Sequence, residues 1–320
     1  MTRLRCAILD DYFNLALTVA DWSGISDRVE VTVFKQPFAS RDAAAGALKD
    51  FEIVCAMRER TPFPATLLAA LPRLKLLLTS GMRNASIDSD ALKQRGIVLC
   101  GTQWSQDPTA ALAMGLILEL TRGIGRENAR MHAGEPWQTF AGVEIEGKTL
   151  GVVGLGKLGA KVAGLAKAFG MKVIAWSPNL TPERCGAVGV AYAGKEQLFS
   201  AADVVTIHVV LSQRSRGLVG RDDLSRMKPT AHLVNTSRGP IVDEQALLET
   251  LQEKRIAGAA VDVFSIEPLP VDHPFRKLDN MVLTPHLGYA TVDSLRAHYG
   301  QMVDAIDAWL KGEPPLRRLA

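Results

Sequence analysis

The fold class this sequence predicts is α/β with two open parallel sheets, and three observations predict it. Short apolar runs bounded by Gly, Pro or Asp recur along the chain, as strands buried on both faces do. Helix-forming stretches separate these runs, which makes the connections parallel crossovers. The rhythm breaks once, at a long helix-forming stretch, and then restarts, so one sheet follows another.

The first set of strands is read at RCAILDD (5–11), VEVTVF (29–34), EIVCAM (52–57), LKLLLTSG (74–81) and IVLCG (97–101). The interruption, 108–134, reads as one long helix ending near Gly134, and EPWQTFAGVEIEG after it is irregular. Strands resume at TLGVVGLG (149–156), MKVIAWS (171–177), DVVTIHVVL (203–211), AHLVNTS (231–237), IAGAAVDVF (256–264) and MVLTP (281–285). The last stretch, 292–312, has helical periodicity and a Gly stop. The expected division is residues 1–105 in one domain and 106–290 in the other, with 291–320 returning to the first.

Composition agrees with this reading. At 320 residues the chain exceeds one typical core. A net charge of +3, spread along the chain, makes no case for nucleic acid or a membrane surface. Cys6, Cys55, Cys100 and Cys185 are scattered without a C-x-x-C pair, so neither a metal site nor a disulfide frame is expected. The start, MTRLRCAILDDY, lacks the features of a signal peptide, and no apolar run approaches about 20 residues. A soluble, cytoplasmic protein is expected.

The strand TLGVV runs into GLGKLG (154–159) and then a helix, the context in which a G-x-G-x-x-G run carries meaning. Gly154 permits the tight turn, Gly156 lets the backbone approach a pyrophosphate, and Gly159 lets the helix pack closely on the strand. Amides at the helix start, including those of Lys157 and Leu158, are placed to hold phosphates. The domain 106–290 is therefore expected to be a Rossmann-type dinucleotide-binding domain. The next strand ends at Ser177, where NAD binding calls for Asp or Glu, and the nearest downstream cation is Arg184. Ser177 neither grips the ribose as a carboxylate would nor repels a 2′-phosphate. The expected cofactor is NAD, with NADP as the alternative.

Three later strand ends carry polar residues: Arg238 in LVNTSRGPIVDE, Asp262 and Glu267 in GAAVDVFSIEPLP, and His286 in LTPHLGY. Strand C-termini line the ligand crevice of an open parallel sheet. Arginine offers a planar fork for a carboxylate. Histidine exchanges protons near neutral pH, and a carboxylate bonded to it favours its charged form and sets its tautomer.

VVGLGKLG, VNTSRGPIVDE, GAAVDVFSIEPLP and TPHLGY, in this order and spacing, resemble the D-2-hydroxyacid dehydrogenase family, which includes D-3-phosphoglycerate dehydrogenases and hydroxypyruvate/glyoxylate reductases. The resemblance covers essentially the whole chain. It implies a flavodoxin-like substrate domain (1–105 plus 291–320) with the nucleotide domain inserted, substrate bound between them, and a homodimer formed through the nucleotide domains. It also implies that an NAD(P)-dependent oxidoreductase interconverts a D-2-hydroxy acid and its 2-keto acid. Arg238 would bind the substrate carboxylate and carbonyl, His286 would be the acid/base beside the cofactor, and Glu267 would be its partner. Asp262 would hold the nicotinamide carboxamide, while Val209 and Thr236 line the cofactor site.

The chain departs from the family pattern at SGMRNASID (80–88), where Met82 and Arg83 follow Gly81 and stand where smaller residues are common. In the family this loop's backbone amides bind the substrate carboxylate, so Gly81, Met82 and Arg83 are candidate substrate residues. Arg83, Arg58 or Arg60 could meet a second anionic group. Val210 stands where the family often has Pro. His132, His232, His273 and His298 read as surface or helix-side residues, and Trp104, Trp137 and Trp309 as packing groups. Asp10 and Asp11 read as structural. A non-catalytic dinucleotide sensor or corepressor-like protein is the competing reading, and oxidation of formate or phosphite on the same scaffold a second.

Overall fold

The structure, a computed structural model, describes residues 3–103, 105 and 107–320. Contacts divide the chain into two compact units, Met1–Ser105 with Thr291–Ala320, and Gln106–Ala290.

The first unit holds a parallel sheet of β1 (Leu4–Ile8), β2 (Val29–Val33), β3 (Ile53–Ala56), β4 (Leu76–Thr79) and β5 (Val98–Gly101), in the order β2-β1-β3-β4-β5. This is the flavodoxin-like order, whose crevice opens at the C-terminal ends of β1 and β3. β3 and β4 are buried at every position, which is why they read as unbroken apolar runs. The helix Val292–Leu310 packs in this unit, against the segment near Ala16–Val19.

The second unit holds β6 (Thr149–Val153), β7 (Lys172–Trp176), β8 (Ala191–Tyr192), β9 (Val204–Ile207), β10 (His232–Asn235), β11 (Gly258–Val261) and β12 (Met281–Leu283). All are parallel, in the order β12-β11-β10-β9-β6-β7-β8, so the order reverses beside β6. A dinucleotide crevice forms at such a switch point. Apolar layers cover both faces, one built on Leu198, Phe199 and Leu247, the other on Ile117, Val162 and Ala166.

Two expectations are corrected. The stretch 108–134 is two helices, Asp107–Arg122 and Ile124–His132, because Gly123 adopts φ +61° and turns the chain between them. The two-residue strand β8 was not anticipated, being too short to show a period.

Candidate active site

The glycine loop follows β6. Gly154 has φ +101°, and a Cβ there would lie 2.8 Å from the His208 carbonyl oxygen. A Cβ at Gly159 would overlap the Gly154 carbonyl oxygen, so both positions exclude a side chain on steric grounds. The helix Lys157–Ala168 starts at Gly156 with no side-chain cap. Its first amides, those of Lys157, Leu158 and Gly159, have no acceptor within the helix. A turn with glycine at 154, 156 and 159 that ends on free amides and the positive end of a helix dipole fits a dinucleotide pyrophosphate. Ser177 directly follows β7, half-buried, its carbonyl accepting from the Leu180 amide at 3.0 Å.

Strand register brings the other groups into one row. Val153 is paired with Ile207, Ile207 with Asn235, Asn235 with Val261 and Val261 with Leu283. One residue further on, Gly154, His208, Thr236, Asp262 and Thr284 therefore share a face at the strand ends. His208 is buried with Nε2 2.9 Å from the Thr206 hydroxyl, and burial lowers its pKa to about 3, so the imidazole is neutral. Val209 is partly buried and lies against the Gly154 turn.

Arg238 lies just past β10, its carbonyl held by Asn235 Nδ2 at 3.0 Å and its Nη1 donating to the Ser237 carbonyl at 2.7 Å. Gly239 comes next, and a Cβ there would lie 2.5 Å from both the Phe264 oxygen and the Ser265 nitrogen. The Arg238 segment is thus pressed backbone to backbone against the loop that carries Glu267. Within that loop Glu267 Oε1 accepts from the Phe264 amide at 2.9 Å, and Oε2 lies 2.6 Å from His286 Nδ1. His286 has φ +55°, a left-handed conformation that a non-glycine residue adopts at a cost.

Asp262 holds that conformation. It is fully buried, and its Oδ1 accepts from the Thr284 hydroxyl at 2.6 Å and the Leu287 amide at 2.7 Å. Its Oδ2 accepts from the Gly288 amide at 2.9 Å. Burial raises the carboxyl pKa, against these donors and nearby His286. Asp262 therefore pins both sides of the His286 turn, a role that sequence reading missed because it depends on which way the turn folds back.

In the first unit, Met82 and Arg83 are exposed, while Gly81 is fixed. The Gly81 amide donates to Thr102 Oγ1 at 3.0 Å, and that hydroxyl lies 2.6 Å from His298 Nδ1. Thr102 Oγ1 thus links the Gly81 amide to the buried His298 ring. Burial and the Arg58 charge lower the His298 pKa to about 4. Arg58 has φ +53°, its amide bonded to Ser80 Oγ at 2.8 Å and its carbonyl to Asn84 Nδ2 at 2.6 Å. Arg60 stacks over the Tyr12 ring at 4.5 Å, and Asp10 accepts from Tyr12 at 3.2 Å and from Thr61 at 2.8 Å.

Several sequence readings are corrected here. His298 is 1% exposed and His232 is 9% exposed, both buried by strand and helix packing. His273 is half-buried, with Nε2 3.3 Å from Glu244 Oε1. Trp137, expected to pack, is exposed in this chain. Trp104 lies outside the described residues. Asp11 caps the Leu15 and Ala16 amides at 3.1 and 2.9 Å, a structural role.

The profile described as "D-isomer specific 2-hydroxyacid dehydrogenase, NAD binding domain" matches residues 114–288. The chain belongs to the D-isomer specific 2-hydroxyacid dehydrogenase family. It is 36% identical to the D-3-phosphoglycerate dehydrogenase of Methanocaldococcus jannaschii, over 83% of this chain and 51% of that protein. It is 38% identical to the glyoxylate reductase of Thermococcus litoralis, over 78% of each. A crystal structure of phosphoglycerate oxidoreductase from Vibrio cholerae superposes with a TM-score of 0.92 at 33% identity, covering 97% of this chain and 99% of that one. The chain spans about half the length of the curated D-3-phosphoglycerate dehydrogenases it matches. Among the described residues no helix is long and apolar enough to cross a membrane, and no cluster of three or more His, Cys, Asp or Glu could hold a metal ion.

Proposed function

We propose that this protein is an NAD(P)-dependent oxidoreductase that interconverts a D-2-hydroxy acid and its 2-keto acid. The observation that carries this reading is the 2.6 Å contact between His286 Nδ1 and Glu267 Oε2 at the C-terminal end of a dinucleotide-binding sheet. With Nδ1 engaged by the carboxylate, Nε2 is the nitrogen available to the substrate oxygen. When bound, the nicotinamide cofactor supplies or accepts the hydride. In the reductive direction His286 gives its Nε2 proton to the carbonyl oxygen as charge develops there, while Glu267 stabilises the imidazolium. Arg238 binds the substrate carboxylate and stabilises charge at the carbonyl. Gly154, Gly156, Lys157, Leu158 and Gly159 hold the pyrophosphate, Ser177 meets the adenosine ribose, and NAD is the preferred cofactor.

The first unit, 1–105 with 291–320, is the substrate domain. Its Gly81–Arg83 loop contributes amides, and because the Gly81 amide is already committed to Thr102, those of Met82 and Arg83 meet the carboxylate. Arg83, exposed beside them, meets a second anionic group on the substrate. The chain forms a homodimer through the nucleotide domain, on the exposed apolar side chains Ile124, Met131, Trp137 and Val143.

Following NADH and NADPH absorbance with glyoxylate, hydroxypyruvate, pyruvate and 3-phosphohydroxypyruvate tests this reading. Turnover of at least one 2-keto acid is expected, together with a loss of kcat on the order of a hundredfold or more in His286→Ala and near-normal cofactor binding. Tight cofactor binding without turnover of any of these acids would favour the sensor reading instead.

A further inference from the structure

A second imidazole–carboxylate pair stands behind the first. His273 Nδ1 accepts from the Phe275 amide at 3.3 Å, so its Nε2 carries the hydrogen and faces Glu244 Oε1 at 3.3 Å. Glu244 is in turn oriented by its place as the first residue of the helix Glu244–Gln252, which Asp243 caps through the Ala246 amide. Its second oxygen, Oε2, accepts from the Ser265 amide at 3.2 Å. Ser265 adjoins Phe264, whose amide holds Glu267 Oε1, and the Gly239 backbone lies flush against this same dipeptide. Further along the loop, Arg276 donates to the Leu269 and Pro270 carbonyls at 2.9 Å. Phe264–Ser265 is thus where the segment carrying Arg238 and the loop carrying Glu267 meet, and Glu244 grips it by a charge-assisted bond from outside.

We infer that Glu244 and His273 are positioning residues for the Glu267–His286 pair. The inference rests on the acid/base reading of His286 given above. Neither side chain touches His286; they act by holding the Ser265 amide, and with it the placement of Glu267. A carboxylate that must meet an imidazole at 2.6 Å tolerates little drift, and loss of one anchor on a loop this short displaces it. The titratable groups facing His286 are Glu267 and Asp262, with the Tyr289 ring packed edge-on at 5.8 Å. Glu244 faces His273, and Asp243 precedes it as the helix cap.

The test compares Glu244→Ala, Glu244→Gln and His273→Ala with the wild-type protein and with His286→Ala in the reductive assay. Glu244→Ala is expected to lower kcat on the order of tenfold with the KM for NADH unchanged, since the cofactor cradle lies elsewhere in the unit. The alkaline limb of its pH profile is expected to move to lower pH, because a displaced Glu267 supports the protonated imidazole less. Glu244→Gln keeps an acceptor for the Ser265 amide and should recover most of kcat, while His273→Ala should fall between the two. Measuring NADH binding confirms that each variant is folded. A folded Glu244→Ala with wild-type kcat overturns the inference, and so does a lowered kcat with an unmoved pH profile. An active His286→Ala would instead overturn the acid/base reading itself, whatever the Glu244 variants show.

Discussion

Acidification should loosen the Gly81–Arg83 loop through the buried His298. His298 is 1% exposed, holds Thr102 through Nδ1 at 2.6 Å, and has its pKa lowered to about 4. In the unfolded chain the same imidazole titrates near its ordinary 6.5. A folded-state value depressed in this way gives stability that is complete above the unfolded pKa and is lost as pH falls through the folded one. The full gap corresponds to roughly 3 kcal/mol, of which about 2 kcal/mol disappears between about pH 7 and pH 5. Protonation makes both ring nitrogens donors in a buried site and places a second positive charge beside Arg58. Urea unfolding at the two pH values, on the wild-type protein and on His298→Asn, isolates the effect. Asparagine keeps an acceptor for Thr102 but does not titrate, so the wild type should lose about 2 kcal/mol more than the variant over this interval. Equal losses in the two proteins would refute the reasoning.

Other outcomes follow from the same geometry. Asp262→Ala leaves the Thr284 hydroxyl and the Leu287 and Gly288 amides without their acceptor; a loss of about 3 kcal/mol or more in urea unfolding is expected. Gly159→Ala drives a methyl into the Gly154 carbonyl, so NADH binding, read by fluorescence, should weaken on the order of tenfold or more. Arg83→Ala should raise KM for 3-phosphohydroxypyruvate and leave that for glyoxylate nearly unchanged, which steady-state kinetics will read. Replacing Ile124 and Met131 together by Asp should yield a monomer by sedimentation if their exposed faces meet a second copy.

Much of this molecule is legible in one dimension. Buried parallel strands announce themselves as apolar runs because both their faces are covered, and β3 and β4 show this at every position. The cradle at Gly154 and Gly159 is legible because only glycine fits where backbones touch. Arg238, Glu267 and His286 are legible as polar residues past strand ends, and the structure brings His286 Nδ1 to 2.6 Å from Glu267 Oε2. The sequence could not show what holds them. Thr102 and His298 are bonded across 196 positions, Asp262 and Gly288 across 26, and Glu244 and His273 across 29. Asp262, Gly288 and Glu244 lie inside motifs that do not show which groups they bond, while His273 and His298 lie in no motif and read as surface or helix-side residues. Sequence by itself determined most of the strands and helices and which polar groups stand at strand ends, because those follow from local sterics and burial. Only the tertiary structure decided which buried carboxylate, hydroxyl or imidazole fixes each reactive group, because hydrogen bonds between distant segments exist only once the sheets have assembled.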